Sequence, residues 1–165
     1  MPNDTQTSHS TSDAAFLPST GKFVVFISGC SPHRPEKRWP AAYFASVGRH
    51  FTDRGYGVVL VGTTADEGIV NDILRELPDA VNACGKTNLG QLTRLLAKAD
   101  FVLGNDTGPI FLAAKAGTKT LVLMGDATIP EAMRPMQANA QWIQRSQISA
   151  ITPHEVLNCI DLMMQ

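Results

Sequence analysis

The chain has 165 residues, a formal net charge of −1 and a hydrophobic fraction of 44%, which together are typical of one globular domain with a sizeable core. Its basic residues form no long run. Non-specific binding to DNA or RNA needs a basic surface that displaces counterions from the phosphates, so no nucleic-acid partner is expected. No apolar run approaches the roughly 18 residues that a membrane-spanning helix needs, so no transmembrane segment is predicted.

The first 20 residues are rich in Ser, Thr and Asp, which predicts a flexible polar tail (1–20) ahead of a folded domain (21–165). This tail lacks the basic start and the apolar block of a secretion signal. Cys30, Cys84 and Cys159 stand at long spacings without a CxxC pair, which argues against a disulfide framework and a zinc site. We therefore expect a cytoplasmic domain.

Four short apolar runs rich in β-branched residues predict buried parallel strands over residues 23–27, 58–61, 101–103 and 120–124. A fifth, shorter strand is predicted at residues 142–143. Between the runs, apolar residues recur with helical spacing within residues 44–51, 69–77, 89–99 and 156–164, and an Ala-rich helix is predicted to end at Gly117. The pairs Asn88 with Gln91 and Thr152 with Glu155 predict capping boxes at two helix starts.

Strands that alternate with helices predict βαβ units, and therefore an α/β, Rossmann-like parallel sheet with helices on both faces. In such sheets, ligands bind beyond the carboxyl ends of the strands. Four segments of the chain fall there. They cover residues 28–40, 62–67, 85–89 and 104–109.

The first two segments each allow two interpretations. Residues 28–40 combine small residues with Lys37 and Arg38 ahead of a helix, which suits either a bound diphosphate or a solvated basic loop. Residues 62–67 end in Asp66 and Glu67, which could accept hydrogen bonds from ribose hydroxyls or complement the dipole of the following helix. The residues alone leave both choices open.

The segment over residues 104–109 favours a ligand more clearly. Asp106 or Thr107 can cap the next helix, and Pro109 fits its first turn. Capping does not explain why glycines bracket the polar residues, whereas Gly108 would let a diphosphate lie against exposed N–H groups. We therefore predict a diphosphate site in this segment.

Two other candidate motifs are rejected. Gly85-Lys86-Thr87 resembles the end of a phosphate-binding P-loop, but that motif needs a glycine where Ala80 stands. Cys30 and His33 could form a nucleophile and its base, but no third orienting group and no G-x-S-x-G elbow accompany them.

In this order and at this spacing, the segments resemble the C-terminal domain of glycosyltransferase family 9, which includes the heptosyltransferases of lipopolysaccharide core assembly. The resemblance covers residues 22–130 and includes the sequence Lys37-Arg38-Trp39-Pro40. It implies one half of a two-domain GT-B enzyme that inverts configuration at the transferred sugar. It also implies that this half binds a nucleotide diphosphate sugar, commonly ADP-heptose, in the cytoplasm or peripherally at the inner membrane.

The resemblance assigns donor-binding roles but no catalytic residue to this chain. Lys37 and Arg38 would lie at the donor phosphates or sugar, Glu67 at the ribose and Thr87 near the base. The remaining donor-binding residues would be Ser28 and Ser31 beside Lys37, and Asp106, Thr107 and Gly108 at the diphosphate and sugar. Neither a cofactor nor a metal is expected, because basic residues and helix dipoles can neutralise the leaving diphosphate, and the sequence has no Asp-x-Asp motif.

Two departures from the family pattern shape the functional prediction. The family usually has a histidine where Phe111 stands, and its N-terminal domain carries the acceptor site and the proposed general base. We therefore expect a glycosyltransferase donor half that acts with a separate N-terminal half or is a fragment of a longer enzyme. We also expect it to self-associate or to bind a partner. The alternative is a catalytically inactive module that binds a sugar nucleotide or another protein. A third hypothesis is a hydrolase of nucleotide diphosphate sugars that uses Asp106 or His33 as its base.

Overall fold

A computed structural model describes residues 12–29, 37–126 and 138–165 of the chain. Within these residues, six parallel strands form one sheet in the order β3-β2-β1-β4-β5-β6. The strands are β1 (Phe23–Ile27), β2 (Gly57–Val61), β3 (Val81–Asn82), β4 (Phe101–Asn105), β5 (Thr120–Met124) and β6 (Ala140–Gln144). The predicted Rossmann-like α/β fold is confirmed.

Helices cover both faces of this sheet. They are α1 (Ala41–Thr52), α2 (Glu67–Glu76), α3 (Leu89–Lys98), α4 (Gly108–Lys115) and α5 (Pro153–Met163). One core layer joins α1, α2 and α5 to Val24 and Phe26 of β1, and the other joins α3 and α4 to Phe23, Val25 and Ile27. Because β1 is buried on both sides, its sequence is apolar throughout rather than alternating.

Among the described residues, the sequence predicted five of the six strands and missed β3. Both predicted capping boxes are present, with Asn88 accepting from the Gln91 N–H and Thr152 accepting from the Glu155 N–H. Strand β3 was not predicted, because two partly buried residues are too short for any periodicity to appear.

The described part of the predicted tail lies against the domain. Ser12 caps a single 3-10 turn over Asp13–Phe16, and Phe16 is buried in the core layer beside α3 and α4. Asp13 also forms a two-point ion pair with Arg94 of α3, which lowers the pKa of Asp13 and raises that of Arg94. Residues 1–11 lie outside the described residues, so the tail as a whole and the boundary at residue 21 stay predictions.

The order of the strands determines where a ligand can enter. The chain leaves β1 toward α1 on one face, whereas it leaves β4 toward α4 on the other face. Neighbouring strands whose connections diverge in this way leave a crevice beyond their carboxyl ends. Among the described residues, no helix has both the length and the apolar character needed to cross a bilayer.

Gly104 permits the close approach of β4 to β1 at this crevice. A Cβ atom there would stand 2.7 Å from Cβ of Ile27 and 2.9 Å from the carbonyl oxygen of Ile27. The carbonyl belongs to the β1 backbone and cannot rotate away as a flexible side chain would. The two strands therefore pair at this level only if position 104 has no side chain.

We expect Gly104→Ala to lower the free energy of unfolding by about 1–3 kcal/mol, because the new methyl group overpacks two paired strands. Gly108→Ala is the matched control: a Cβ at Gly108 meets no atom within 4 Å, so its effect should stay within about 0.5 kcal/mol. Urea denaturation followed by circular dichroism measures both variants. Equal stability of the two would contradict the packing argument.

Candidate functional site

A cleft of about 470 Å³ opens at the carboxyl edge of the sheet, beyond β1, β2 and β4. One wall is the start of α3 and the other is the start of α4. The residues that line it are Ile27, Gly29, Val61, Gly62, Thr63, Asp66, Thr87, Asn88, Leu89, Leu92, Thr107, Gly108 and Pro109. The volume and the mixed apolar and polar lining are those of a small-molecule site.

The α3 wall offers an apolar surface at the mouth of the cleft. Leu89 is the first residue of α3 and is 70% exposed, although it is a large apolar side chain. Asn88 and Gln91 fix the start of the helix through their reciprocal cap, so Leu89 is held at the rim. Together with Leu92 and Thr87, it forms a wall suited to a flat apolar group.

The α4 wall is the open start of a helix. Thr107 precedes the helix, its side chain makes no capping hydrogen bond, and Pro109 lies in the first turn. No atom lies within 4 Å of the place where a Cβ of Gly108 would stand, so the backbone is open to the cleft. A helix start of this kind carries positive partial charge and favours an anion.

The floor of the cleft holds a buried carboxylate. Asp66 is 6% exposed, and its Oδ2 accepts the N–H of Thr63 at 2.9 Å. Its side chain lies directly against the backbone of Gly29 and Gly62, where a Cβ would overlap the carboxylate. The Nη2 atom of Arg38 lies 3.7 Å from Oδ1, which has no hydrogen-bond partner within the described part of the chain.

An ion pair joins the segment before α1 to the end of β4. Nζ of Lys37 lies 3.2 Å from Oδ2 of Asp106, and the two side chains are 16% and 1% exposed. The lysine therefore places one cation next to the open start of α4, while the carboxylate is held below it. The pair is neutral overall, which limits the cost of burying Asp106.

Asn105 organises the segments around this pair. Its Oδ1 accepts the backbone N–H of Trp39 at 3.0 Å, and its Nδ2 donates to the carbonyl oxygen of Ser28 at 2.8 Å. Trp39 is fully buried and donates its indole N–H to the carbonyl oxygen of Ile151 at 2.9 Å. The sequence analysis assigned no function to Asn105 or Trp39, although Asn105 lies inside the motif over residues 104–109.

The structure brings together some of the predicted donor residues and separates others. Thr87, Thr107 and Gly108 line the cleft. Lys37, Arg38, Asp106 and the fully buried Ser28 lie next to it, and the Ser28 hydroxyl has no hydrogen-bond partner among the described residues. Glu67 is exposed at the start of α2 and does not line the cleft. Ser31 lies outside the described residues, as do Cys30 and His33.

Cys84 lies behind Asp66 and is not a reactive thiol. Burial, together with the nearby carboxylates of Asp66 and Glu67, raises the pKa of this thiol to about 11. Its Sγ donates to the carbonyl oxygen of Thr63 at 3.1 Å. The thiol therefore stays protonated at neutral pH and serves packing.

No group of three or more His, Cys, Asp or Glu side chains that could hold a metal ion occurs within residues 12–29, 37–126 and 138–165. The cations that the structure places at the cleft are the side chains of Lys37 and Arg38.

Comparison with known proteins gives one consistent family. A sequence model of glycosyltransferase family 9 (heptosyltransferase) matches residues 2–158. Lipooligosaccharide heptosyltransferase 2 of Haemophilus influenzae is 33% identical over 115 residues, which are 67% of this chain and 33% of that protein. Lipopolysaccharide heptosyltransferase 2 of Escherichia coli is 31% identical over 115 residues, again 67% of this chain and 33% of that protein. The match thus spans about a third of these relatives.

Solved structures give the same fold. The E. coli ADP-heptose lipopolysaccharide heptosyltransferase II superposes with a TM-score of 0.83 at 25% identity, over 99% of this chain and 52% of that one. The E. coli heptosyltransferase WaaC with ADP superposes with a TM-score of 0.78 over 89% of this chain and 46% of that one, but at 22% identity it supports the fold alone. The chain therefore spans about half the length of these structures.

We expect Asn105→Ala to destabilise the fold by on the order of 3 kcal/mol, because it leaves the buried N–H of Trp39 and the carbonyl of Ser28 without their partners. Asn158→Ala is the control, since that side chain is bonded only to His154 at the surface. Chemical denaturation measures both. A loss below about 0.5 kcal/mol for Asn105→Ala would show that the network does not hold the site together.

Proposed function

This chain belongs to glycosyltransferase family 9, and on that basis we propose that its cleft binds a nucleotide diphosphate sugar, with ADP as the nucleotide. The observation that carries the proposal is the shape of the cleft. It runs from an apolar wall at α3, past a buried carboxylate, to the open start of α4 beside Lys37. Base, ribose and diphosphate follow one another in the same order along a nucleoside diphosphate.

The α3 end of the cleft suits the base. Thr87, Leu89 and Leu92 offer an apolar surface with one hydroxyl, and the exposure of Leu89 leaves that surface open to a flat ring. Covering an exposed leucine with a base removes apolar surface from water, which favours binding.

We place the ribose at Asp66 rather than at Glu67. Asp66 lines the cleft with a buried oxygen that has no hydrogen-bond partner among the described residues, whereas Glu67 is exposed outside it. Ribose hydroxyls donate hydrogen bonds, and a buried acceptor without a donor is energetically costly until one arrives. Glu67 was the sequence-based prediction for this contact, and nucleotide binding to variants of both residues would decide between them.

The diphosphate fits at the start of α4. The backbone N–H of Gly108 and the positive end of the helix dipole would face its oxygens, and Lys37 would supply a positive charge. Asp106 cannot itself bind a diphosphate, because both are negative, so its oxygens serve Lys37 and the hydroxyls of the attached sugar. Helix dipole and basic side chains together would stabilise the departing nucleotide without a metal ion.

We propose that transfer proceeds with inversion, in the synthesis of lipopolysaccharide or another surface glycan, and requires a second half. The chain spans about half of the solved structures it resembles. The family resemblance assigns the acceptor site and the general base to the N-terminal half. The half would be an N-terminal domain, either on a separate chain or on a longer polypeptide that includes this sequence. Transfer from ADP-heptose that appears only when an N-terminal half is supplied would support this. Nucleotide binding without transfer would favour the inactive module.

Lys37→Ala should weaken ADP binding at least about tenfold, because it removes a charge-assisted contact to the diphosphate. Isothermal titration calorimetry measures the change. Lys115→Ala is the control, since Lys115 is exposed at the far end of α4. Circular dichroism checks that both variants fold. If a folded Lys37→Ala variant bound ADP with unchanged affinity, the proposed position of the diphosphate would be wrong.

Asp106→Asn should have the opposite effect and raise the affinity for ADP that carries no sugar. The variant removes a negative charge beside the diphosphate and releases Lys37 from its ion pair, so we expect binding to tighten by about threefold to tenfold at low salt. Asp79→Asn, an exposed carboxylate at the opposite edge of the sheet, serves as the control. Weaker binding of ADP by the folded Asp106→Asn variant would contradict this charge balance.

A further inference from the structure

The carboxylate of Asp66 is held through one oxygen and open at the other. Oδ2 accepts the backbone N–H of Thr63 at 2.9 Å and the Thr63 hydroxyl at 3.3 Å. Oδ1 is buried and has no hydrogen-bond partner among the described residues. Because buried polar atoms in folded proteins are almost always paired, an open acceptor on a residue that lines a cleft indicates a missing donor.

Arg38 offsets the charge of this carboxylate without occupying its open oxygen. Nη2 of Arg38 lies 3.7 Å from Oδ1 of Asp66, which is close enough for an ion pair but too long for a hydrogen bond. A buried carboxylate is costly without a cation nearby, and Glu67 follows directly with a second negative charge. The arrangement therefore offsets the charge of Asp66 and keeps the lone pairs of Oδ1 available for a ligand.

Arg38 lies beside Asp66 and not in the cleft itself. Asp66 is one of the residues that line the cleft, whereas Arg38 is not. Nε of Arg38 is buried and has no hydrogen-bond partner in the part of the chain that the structure describes. The contact that locates this guanidinium within the described residues is thus its ion pair with Asp66. In this position, Arg38 would influence a bound nucleotide through Asp66.

The backbone next to Arg38 is firmly anchored. Trp39 is fully buried, its backbone N–H donates to Oδ1 of Asn105 at 3.0 Å, and its indole N–H donates to the carbonyl oxygen of Ile151 at 2.9 Å. Neither contact involves a ligand, so both fix the start of the Arg38 side chain in the free protein. Preorganisation of this kind lowers the entropic cost of ordering a binding site.

We propose that Arg38 is a positioning residue for the ribose contact. It holds the Asp66 carboxylate against Thr63 with Oδ1 open to the ribose hydroxyls, and it does not touch the nucleotide itself. The inference rests on the proposed function, in which the ribose donates to Asp66. The sequence-based prediction placed Arg38 at the donor phosphates or sugar instead, and the two roles differ in which part of the ligand senses a change at Arg38.

Isothermal titration calorimetry with ADP and with 2′,3′-dideoxy-ADP, which lacks both ribose hydroxyls, separates these roles. In Arg38→Met, the preference for ADP over the dideoxy analogue should fall by about tenfold, the effect of losing a hydrogen bond to a charged group. Arg38→Lys should retain part of the preference, because it keeps a positive charge beside Asp66. If Arg38 instead contacted the phosphates, both nucleotides would bind more weakly by the same factor, and the unchanged preference would overturn the proposal.

Two further measurements serve as controls. Arg75→Met removes an exposed arginine of α2 that pairs with Asp72, and it should leave the preference at the wild-type value. In an Asp66→Asn background, Arg38→Met should cause no additional loss of preference, because the carboxylate that it positions is absent. An additional loss there would contradict a role that acts through Asp66.

The amide NMR signal of Thr63 in the nucleotide-free protein tests the same inference without a ligand. Its proton is bonded to Oδ2 of Asp66, so it should shift toward the position of an unbonded amide in Arg38→Met but not in Arg75→Met. An unchanged Thr63 signal in a folded Arg38→Met variant would show that Arg38 does not hold Asp66, which overturns the proposal. Failure of the wild type to bind ADP would instead count against the proposed function, and the Thr63 signal would still decide whether Arg38 holds Asp66.

Discussion

The boundary between β1 and β4 depends on one buried amide. Asn105 accepts the N–H of Trp39 and donates to the carbonyl of Ser28, so a single side chain ties the loop after β1 and the segment before α1 to the end of β4. All of these groups are buried, where an unpaired N–H or C=O is costly, so the arrangement has little freedom to change. Lys37, Asp106 and the start of α4 take their positions from this fixed point, since they adjoin its partners in the chain.

The electrostatics of the cleft follow from where its charges are buried. Asp66 and Asp106 lie below the surface, each beside a cation that is more exposed than it is. A negative ligand therefore meets Lys37 and the positive end of α4 before it meets a carboxylate. This order suits a molecule whose hydroxyls reach the buried oxygens while its phosphates stay with the cations, as in a sugar nucleotide.

The shape of the domain also explains why a second half is proposed. The candidate cleft opens on the carboxyl edge of the sheet, and the described residues do not cover it. In the family to which the chain belongs, solved structures are about twice as long as the part that this chain matches. The proposed transfer between two sugars would need water to be excluded from this edge, and the described residues leave the edge open.

The sequence alone determined the fold and predicted which edge of the sheet a ligand would use, and the candidate cleft opens at that edge. Buried runs such as Phe23–Ile27 and capping boxes such as Thr152 with Glu155 act locally, so their patterns are readable without coordinates. The glycines and polar residues over positions 104–109 predicted a ligand site, and Thr107 and Gly108 line the candidate cleft. Only the tertiary structure decided which side chains face the cleft and which side chains contact each other.

Asp66 and Glu67 are adjacent and chemically alike, yet the turn before α2 buries the first against Gly29 and exposes the second. Asn105 acquires its role from a residue 66 positions away, and the fold brings Arg38 beside Asp66. These pairings depend on sheet order and on the packing of distant segments. No local pattern in the sequence predicts these contacts.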